Sequence, residues 1–141
     1  MLTLTREILM SLTADDPSIW EFDRTARDIL GVKPLSPLRT TSPDPLVEMY
    51  VTRSIRELME QGWALPGNDR LVADSGTGSS SMVELFPWSL DIDDSVARIE
   101  REWRSLDHPL FSDDICRFAG TPSGIVEGRR LLEERAGRAS P

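Results

Sequence analysis

The chain has 141 residues, of which 39% are hydrophobic and 28% charged, and this composition is typical of one compact domain with its own core. No apolar run approaches the roughly 20 residues that cross a bilayer, so no membrane partner is predicted. Acidic side chains number 24 against 16 basic ones, and the net charge of −8 disfavours nucleic acid as a partner.

Two helices are predicted in the first 31 residues. Leu4, Ile8 and Leu12 recur at helical spacing and indicate a short helix over about 5–12. A second helix should begin at Pro17, capped by the preceding aspartates, and end at Gly31. Its apolar face consists of Ile19, Phe22, Ala26, Ile29 and Leu30.

The third predicted helix has the strongest pattern and follows a proline-rich loop over 33–45. It should start at Asp44-Pro45, an N-cap followed by proline at the first helical position, and run up to Gly62. Its apolar stripe consists of Val47, Val51, Ile55, Leu58 and Met59.

Three short strands are predicted after this helix. Residues 63–65 indicate a strand that ends at Pro66-Gly67, and residues 67–81 are expected to be turn-forming and mobile. Residues 82–88 predict a second strand, which Pro87 confines to a sheet edge. The alternation over 115–118 predicts the third.

Two more helices complete the predicted elements. One begins at Asp91, with a stripe of Ile92, Val96, Ile99 and Trp103. The other begins at Thr121-Pro122 and continues to about Arg135. The sequence therefore predicts an α+β fold with four to five helices and a two- or three-stranded antiparallel sheet, in a layout that resembles a winged helix. Residues 1–135 should form a single domain, and 136–141 a frayed tail.

No metal or cofactor is predicted. Asp91, Asp93, Ser95 and Glu102 occupy the first, third, fifth and twelfth positions of a calcium-binding loop. The sixth position requires a glycine, but here it is Val96, which belongs to the helical stripe. A single cysteine and a single histidine cannot form a Cys/His zinc site from this chain alone.

No catalytic residue is predicted either, so the sequence favours a protein that is not an enzyme. His108 and Cys116 are the one candidate pair of base and nucleophile, yet Cys116 shares a predicted strand face with Phe118 and should be an inert buried thiol. The many carboxylates leave a paired-carboxylate site open, because no spacing singles out one pair.

A protein interface is the remaining candidate site. Phe86 and Trp88 lie in the least regular region, just before a cluster of aspartates, and an exposed aromatic beside carboxylates is typical of interfaces with basic partners. An aromatic that folds back over the core is an equally open interpretation. The predicted interface consists of Phe86, Trp88, Asp91, Asp93, Asp94, Asp113 and Asp114.

The order of several segments also carries a resemblance. The succession of IRELMEQGWALPGN, PWSLDIDDSVARIEREW, LFSDDICRF and AGTPSG over residues 45–125 resembles small acidic proteins of actinobacterial type. Some proteins similar to these look like immunity proteins of bacterial toxin systems. The resemblance implies a bacterial binding protein and carries over no catalytic residue.

These observations favour a protein-binding module, in the form of an immunity protein that neutralises a basic toxin partner. The N-terminal segment lacks a signal-peptide pattern, so a cytoplasmic location is expected. A winged-helix transcriptional regulator is the first alternative, although a recognition helix should be basic. A small enzyme is the second. The sequence leaves the partner's identity and the oligomeric state open.

Overall fold

The computed structural model describes residues 1–33, 43–72 and 82–139, which contain five helices and three strands. The helices are α1 (Thr3–Ser11), α2 (Ile19–Leu30), α3 (Pro45–Glu60), α4 (Ile92–Arg104) and α5 (Pro122–Ala139). The strands are β1 (Ala64–Val72), β2 (Met82–Pro87) and β3 (Arg117–Gly120). The predicted α+β class is confirmed.

The three strands form one antiparallel sheet in the order β2-β1-β3, and β2 lies at an edge as Pro87 predicts. The predicted end of β1 at Pro66-Gly67 is wrong, because the strand continues through both residues. The carbonyl of Pro66 accepts a hydrogen bond from the Trp88 amide, 3.1 Å away. Pro66 therefore faces the end of β2, and its missing N–H removes little of the hydrogen bonding between β1 and β2.

Gly67 allows β2 to approach β1 closely. A Cβ atom on Gly67 would lie 2.3 Å from the carbonyl oxygen of Phe86, so a side chain there is sterically excluded. Residues 67–72, predicted to belong to a turn-forming segment, are thus part of the sheet. The rest of that segment, 73–81, lies outside the described residues, as do 34–42 of the predicted proline-rich loop.

Helix α2 begins two residues later than predicted, at Ile19 with Ser18 as its N-cap. Pro17 and Ser18 are instead extended against β3: the Phe118 amide donates to the Pro17 carbonyl at 2.9 Å, and Ser18 forms a bridge with Arg117. Pairing with a distant strand therefore replaces the predicted cap. The predicted end at Gly31 is confirmed, with a left-handed φ of 69°.

Helix α3 is the centre of the core and confirms its predicted bounds. The Asp44 carboxylate accepts from the amides of Leu46 and Val47, which fixes the first turn. Helix α3 packs against α1, α2, α4 and β1, so it contacts most of the other elements. Its fully buried apolar side chains are Val47, Val51, Ile55 and Leu58.

Helix α4 confirms the helical interpretation of the segment after Asp91. The Asp91 carboxylate accepts from the Asp94 amide at 2.7 Å and caps the helix, and Val96, Ile99 and Trp103 are buried. Because Val96 lies on the buried face of a helix, this segment does not have the conformation of a calcium-binding loop.

Helix α5 packs closely on α1 through Gly128. A Cβ atom there would lie 2.2 Å from the Leu9 carbonyl oxygen, so the two helix backbones nearly touch. Thr121 caps α5 by accepting from the Gly124 amide at 3.1 Å. The helix passes its predicted end at Arg135 and continues to Ala139, and residues 140–141 lie outside the description.

Candidate protein interface

The Asn68 side chain joins the two segments that contain the predicted interface. Its Oδ1 accepts from the indole Nε1 of Trp88 at 2.5 Å, and its Nδ2 donates to the carbonyl of Ile115 at 2.8 Å. Trp88 directly follows β2, and Ile115 lies two residues before β3. Asn68 on β1 therefore links Trp88 to Ile115, one residue in each of the segments 86–94 and 105–116.

Trp88 is held in place by contacts on its edge and its face. Besides the bond to Asn68, the guanidinium of Arg98 on α4 lies 3.9 Å from the ring centroid, and Arg98 also pairs with Glu102 at 2.8 Å. The side chain is half-buried against the core. These contacts favour the interpretation that Trp88 folds back over the core and supports the surface around it.

Two non-glycine residues beside this network have a left-handed backbone. Ser89, next to Trp88, has a φ of 44°, and Ile115, whose carbonyl binds Asn68, has a φ of 66°. For a β-branched residue this conformation costs about 1–3 kcal/mol. It also explains why the strand predicted over 115–118 begins only at Arg117.

The predicted acidic residues divide into fixed and free carboxylates. Asp91 caps α4, Asp93 pairs with Arg56 at 2.6 Å, and Asp114 accepts from the Phe111 amide at 2.7 Å. Asp94 and Asp113 are exposed. The first three thus have structural contacts, while Asp94 and Asp113 supply negative charge at the surface.

Sequence reasoning missed two exposed apolar residues in the same segments. Leu90 is 42% exposed and Phe111 is 54% exposed, compared with 40% for the predicted Phe86. Both missed residues lie outside every helical stripe and within two residues of an aspartate, a signal that could have been applied to them as it was to Phe86. Phe86 itself lies under the Arg70 guanidinium, 4.9 Å from its ring centroid.

His108 packs in the loop that carries Phe111. The two rings are stacked with centroids 5.2 Å apart, and Nδ1 lies 2.8 Å from the Pro109 carbonyl oxygen and 3.7 Å from Asp114. The bond to Pro109 raises the pKa of His108, and the nearby carboxylates of Asp114 and Asp107 raise it further. The imidazolium is therefore favoured in the folded protein.

This raised pKa makes stability depend on pH. The contribution of His108 to the free energy of unfolding should be complete below the pKa that it has in the unfolded chain, ordinarily about 6.5. It should disappear as the pH rises through the pKa that His108 has in the folded protein. We expect the NMR-titrated pKa of His108, the sole histidine, to exceed that of the urea-unfolded chain. His108→Gln should flatten the fall in unfolding free energy that begins above about pH 6.5. A lower pKa in the folded protein would contradict this assignment.

Cys116, the candidate nucleophile, is not exposed to solvent. Cys116 is buried, and its burial raises the pKa of the thiol. The thiol is therefore protonated and shielded from solvent, as the sequence predicts. Within residues 1–33, 43–72 and 82–139, no group of three or more His, Cys, Asp or Glu side chains is placed to hold a metal ion.

Comparisons with known proteins add no relative to this description. No protein-family model, curated protein or solved structure matches the chain. Among the helices of the described residues, none has the length and apolar composition needed to cross a membrane.

Proposed function

We propose that the protein is a protein-binding module whose partner presents a basic surface. The observation that supports this proposal is the link through Asn68 between the segments 86–94 and 105–116, each of which carries an exposed apolar side chain and an exposed carboxylate. Apolar residues within a charged rim are the usual composition of a protein interface.

The charge distribution supports the basic character of the partner. The chain has a net charge of −8, and Asp94 and Asp113 add exposed carboxylates in the two segments of the candidate interface. Exposed acids of this kind attract a cationic surface and raise the rate of encounter at low salt. An immunity protein that covers the basic surface of a toxin is the form of this function that the sequence resemblance implies.

The first experiment identifies the partner by capture from the native host and then measures association and dissociation rates. Asp94→Lys should slow association about 3–10-fold at low salt and reduce its salt dependence, because the charge is exposed. Asp93 is less suitable, since its reversal would also place a lysine beside Arg56. Glu133→Lys, an exposed acid on α5, is the matched control and should change the rate less.

The apolar part of the interface is tested by Phe111→Ala and Leu90→Ala. Both side chains are exposed, so the folded protein should lose little stability, while the complex should dissociate faster. Trp88→Ala is also expected to speed dissociation, but it removes the bond to Asn68 as well. Unchanged rates in Asp94→Lys, Phe111→Ala and Leu90→Ala would place the interface elsewhere, and an acidic partner surface would contradict the proposal.

A further inference from the structure

A groove lies between α3 and α4. It has a volume of about 510 Å³, and Pro43, Pro45 and Met49 form its apolar walls. The Arg56–Asp93 pair joins the two helices near the start of α4, whereas this groove adjoins Arg104 at the end of α4. Arg104 lies eleven residues from Asp93, or about 16 Å along the helix, and Glu100, at the nearer end of the groove, lies seven residues or about 10 Å from it.

The groove contains a buried carboxylate. The Glu48 side chain is only 9% exposed, and its two oxygens accept from Nε and Nη2 of Arg104, with the Nε bond at 3.2 Å. A buried carboxylate requires a compensating cation, yet the Arg104 side chain is 62% exposed. The compensating charge therefore comes from a side chain that solvent can reach and that can rotate away.

A second carboxylate shares the same guanidinium. The Oε2 atom of Glu100 lies 3.6 Å from Nη2 of Arg104, so two carboxylates share this one guanidinium. Met49, which is 53% exposed, adds an apolar surface next to them. Two carboxylates beside an apolar wall complement a guanidinium on a methylene stem, which is the chemistry of an arginine side chain.

We propose that this groove binds an arginine side chain of a protein partner. The incoming guanidinium forms hydrogen bonds with Glu48 and Glu100, its stem lies along Met49, and Arg104 moves out to solvent. The planar fork of a guanidinium can engage carboxylate oxygens in pairs, so arginine should bind more tightly than lysine. The inference shares with the proposed function a basic protein partner, but it uses a different surface.

The test uses N-acetyl-arginine amide, which represents an arginine residue within a chain. Binding is followed through the Met49 methyl resonance in the full-length protein, with the buried Met10 methyl as an internal control. The isosteric N-acetyl-citrulline amide has no charge and should cause no saturable shift, and the lysine analogue should bind more weakly.

Variants separate the groove from nonspecific charge attraction. Arg104→Ala removes the competing guanidinium and should tighten binding of the arginine probe at least about 5-fold, whereas Arg101→Ala, an exposed residue on the same helix, should have a much smaller effect. Glu100→Gln should weaken binding in the Arg104→Ala background. Glu48→Gln should abolish it, with thermal unfolding confirming that each variant is folded.

The inference is overturned if the arginine and citrulline probes behave alike, or if Arg104→Ala fails to tighten binding. It is also overturned if neither the wild-type protein nor the Arg104→Ala variant binds the arginine probe up to about 50 mM. Such a result would leave the proposed function intact, because that proposal depends on the rates of Asp94→Lys, Phe111→Ala and Leu90→Ala. Conversely, the association and dissociation rates of those variants could be unchanged while the arginine probe still binds. That result would contradict the predicted interface and support the groove as the binding site.

Discussion

Replacing Gly128 by alanine should destabilise the protein by about 1–3 kcal/mol or more, the usual cost of overpacking a close contact. The added Cβ would lie 2.2 Å from the Leu9 carbonyl oxygen and 2.9 Å from Cγ2 of Thr13. Backbone atoms cannot move aside as a flexible side chain can, so α5 must shift away from α1. Urea unfolding followed by circular dichroism measures the change.

Gly137→Ala is the matched control on the same helix. Outside its own helical turn, no atom of the described residues lies within 4 Å of a Cβ at Gly137, so alanine should stabilise the helix by up to about 1 kcal/mol through its higher propensity. Opposite signs for these two substitutions would show that the close α1–α5 contact, and not helix propensity, accounts for the loss. If Gly128→Ala stabilised the protein as well, the described approach of α5 to α1 would be wrong.

Trp103→Ala should cost about 3–5 kcal/mol, the usual range for truncating a buried aromatic side chain. Trp103 is 2% exposed and is the largest of the fully buried side chains in the described residues. It ends the apolar stripe of α4, and its removal would leave a cavity in the core. Ile55→Ala, at a fully buried position of α3, should cost about 2–5 kcal/mol for the same reason.

Trp20→Ala provides a control with the same change in volume. Trp20 is half-buried on α2, and its ring lies 4.5 Å from the Arg24 guanidinium. Its loss should therefore cost less than that of Trp103. Equal losses at the two positions would indicate that α4 is not packed through its predicted stripe. Circular dichroism is the appropriate probe, because both variants remove a fluorophore.

The helices could be predicted because their signals lie within the helices themselves. Asp44, Pro45 and the apolar stripe of α3 act on residues within a few positions, and Gly62 follows the helix with a φ of 68°. Hydrophobic spacing and capping are local properties, so a single sequence is sufficient to recognise them.

The errors concern residues whose conformation depends on distant partners. Pro66 and Gly67 normally interrupt a strand, but here β2 and β3 on either side hold them in one. Pro17 carries a helix-start signal that pairing with Phe118 overrides. A local pattern contains no information about such pairing, because the partners lie far away in sequence.

The candidate interface shows the same division. Exposure of several aspartates could be predicted from their polar sequence surroundings, and that of Phe86 from its place just before them, although Phe86 lies within β2 and not in an irregular segment. The role of Asn68 could not, since its side chain binds residues 20 and 47 positions away. Asn68 has no distinguishing neighbours in sequence, and only the folded chain shows that it connects two segments.

The position of Pro87 also bears on how the protein avoids self-association through its sheet. Pro17 and Ser18 already cover part of the outer side of β3, which leaves β2 as the more open edge in the described part of the sheet. Because Trp88 bonds to Pro66 across the ladder, the alternation of antiparallel pairs directs the backbone nitrogen of Pro87 outward. Proline has no N–H there, so a neighbouring chain cannot extend the sheet at this end, and the edge is protected against aggregation.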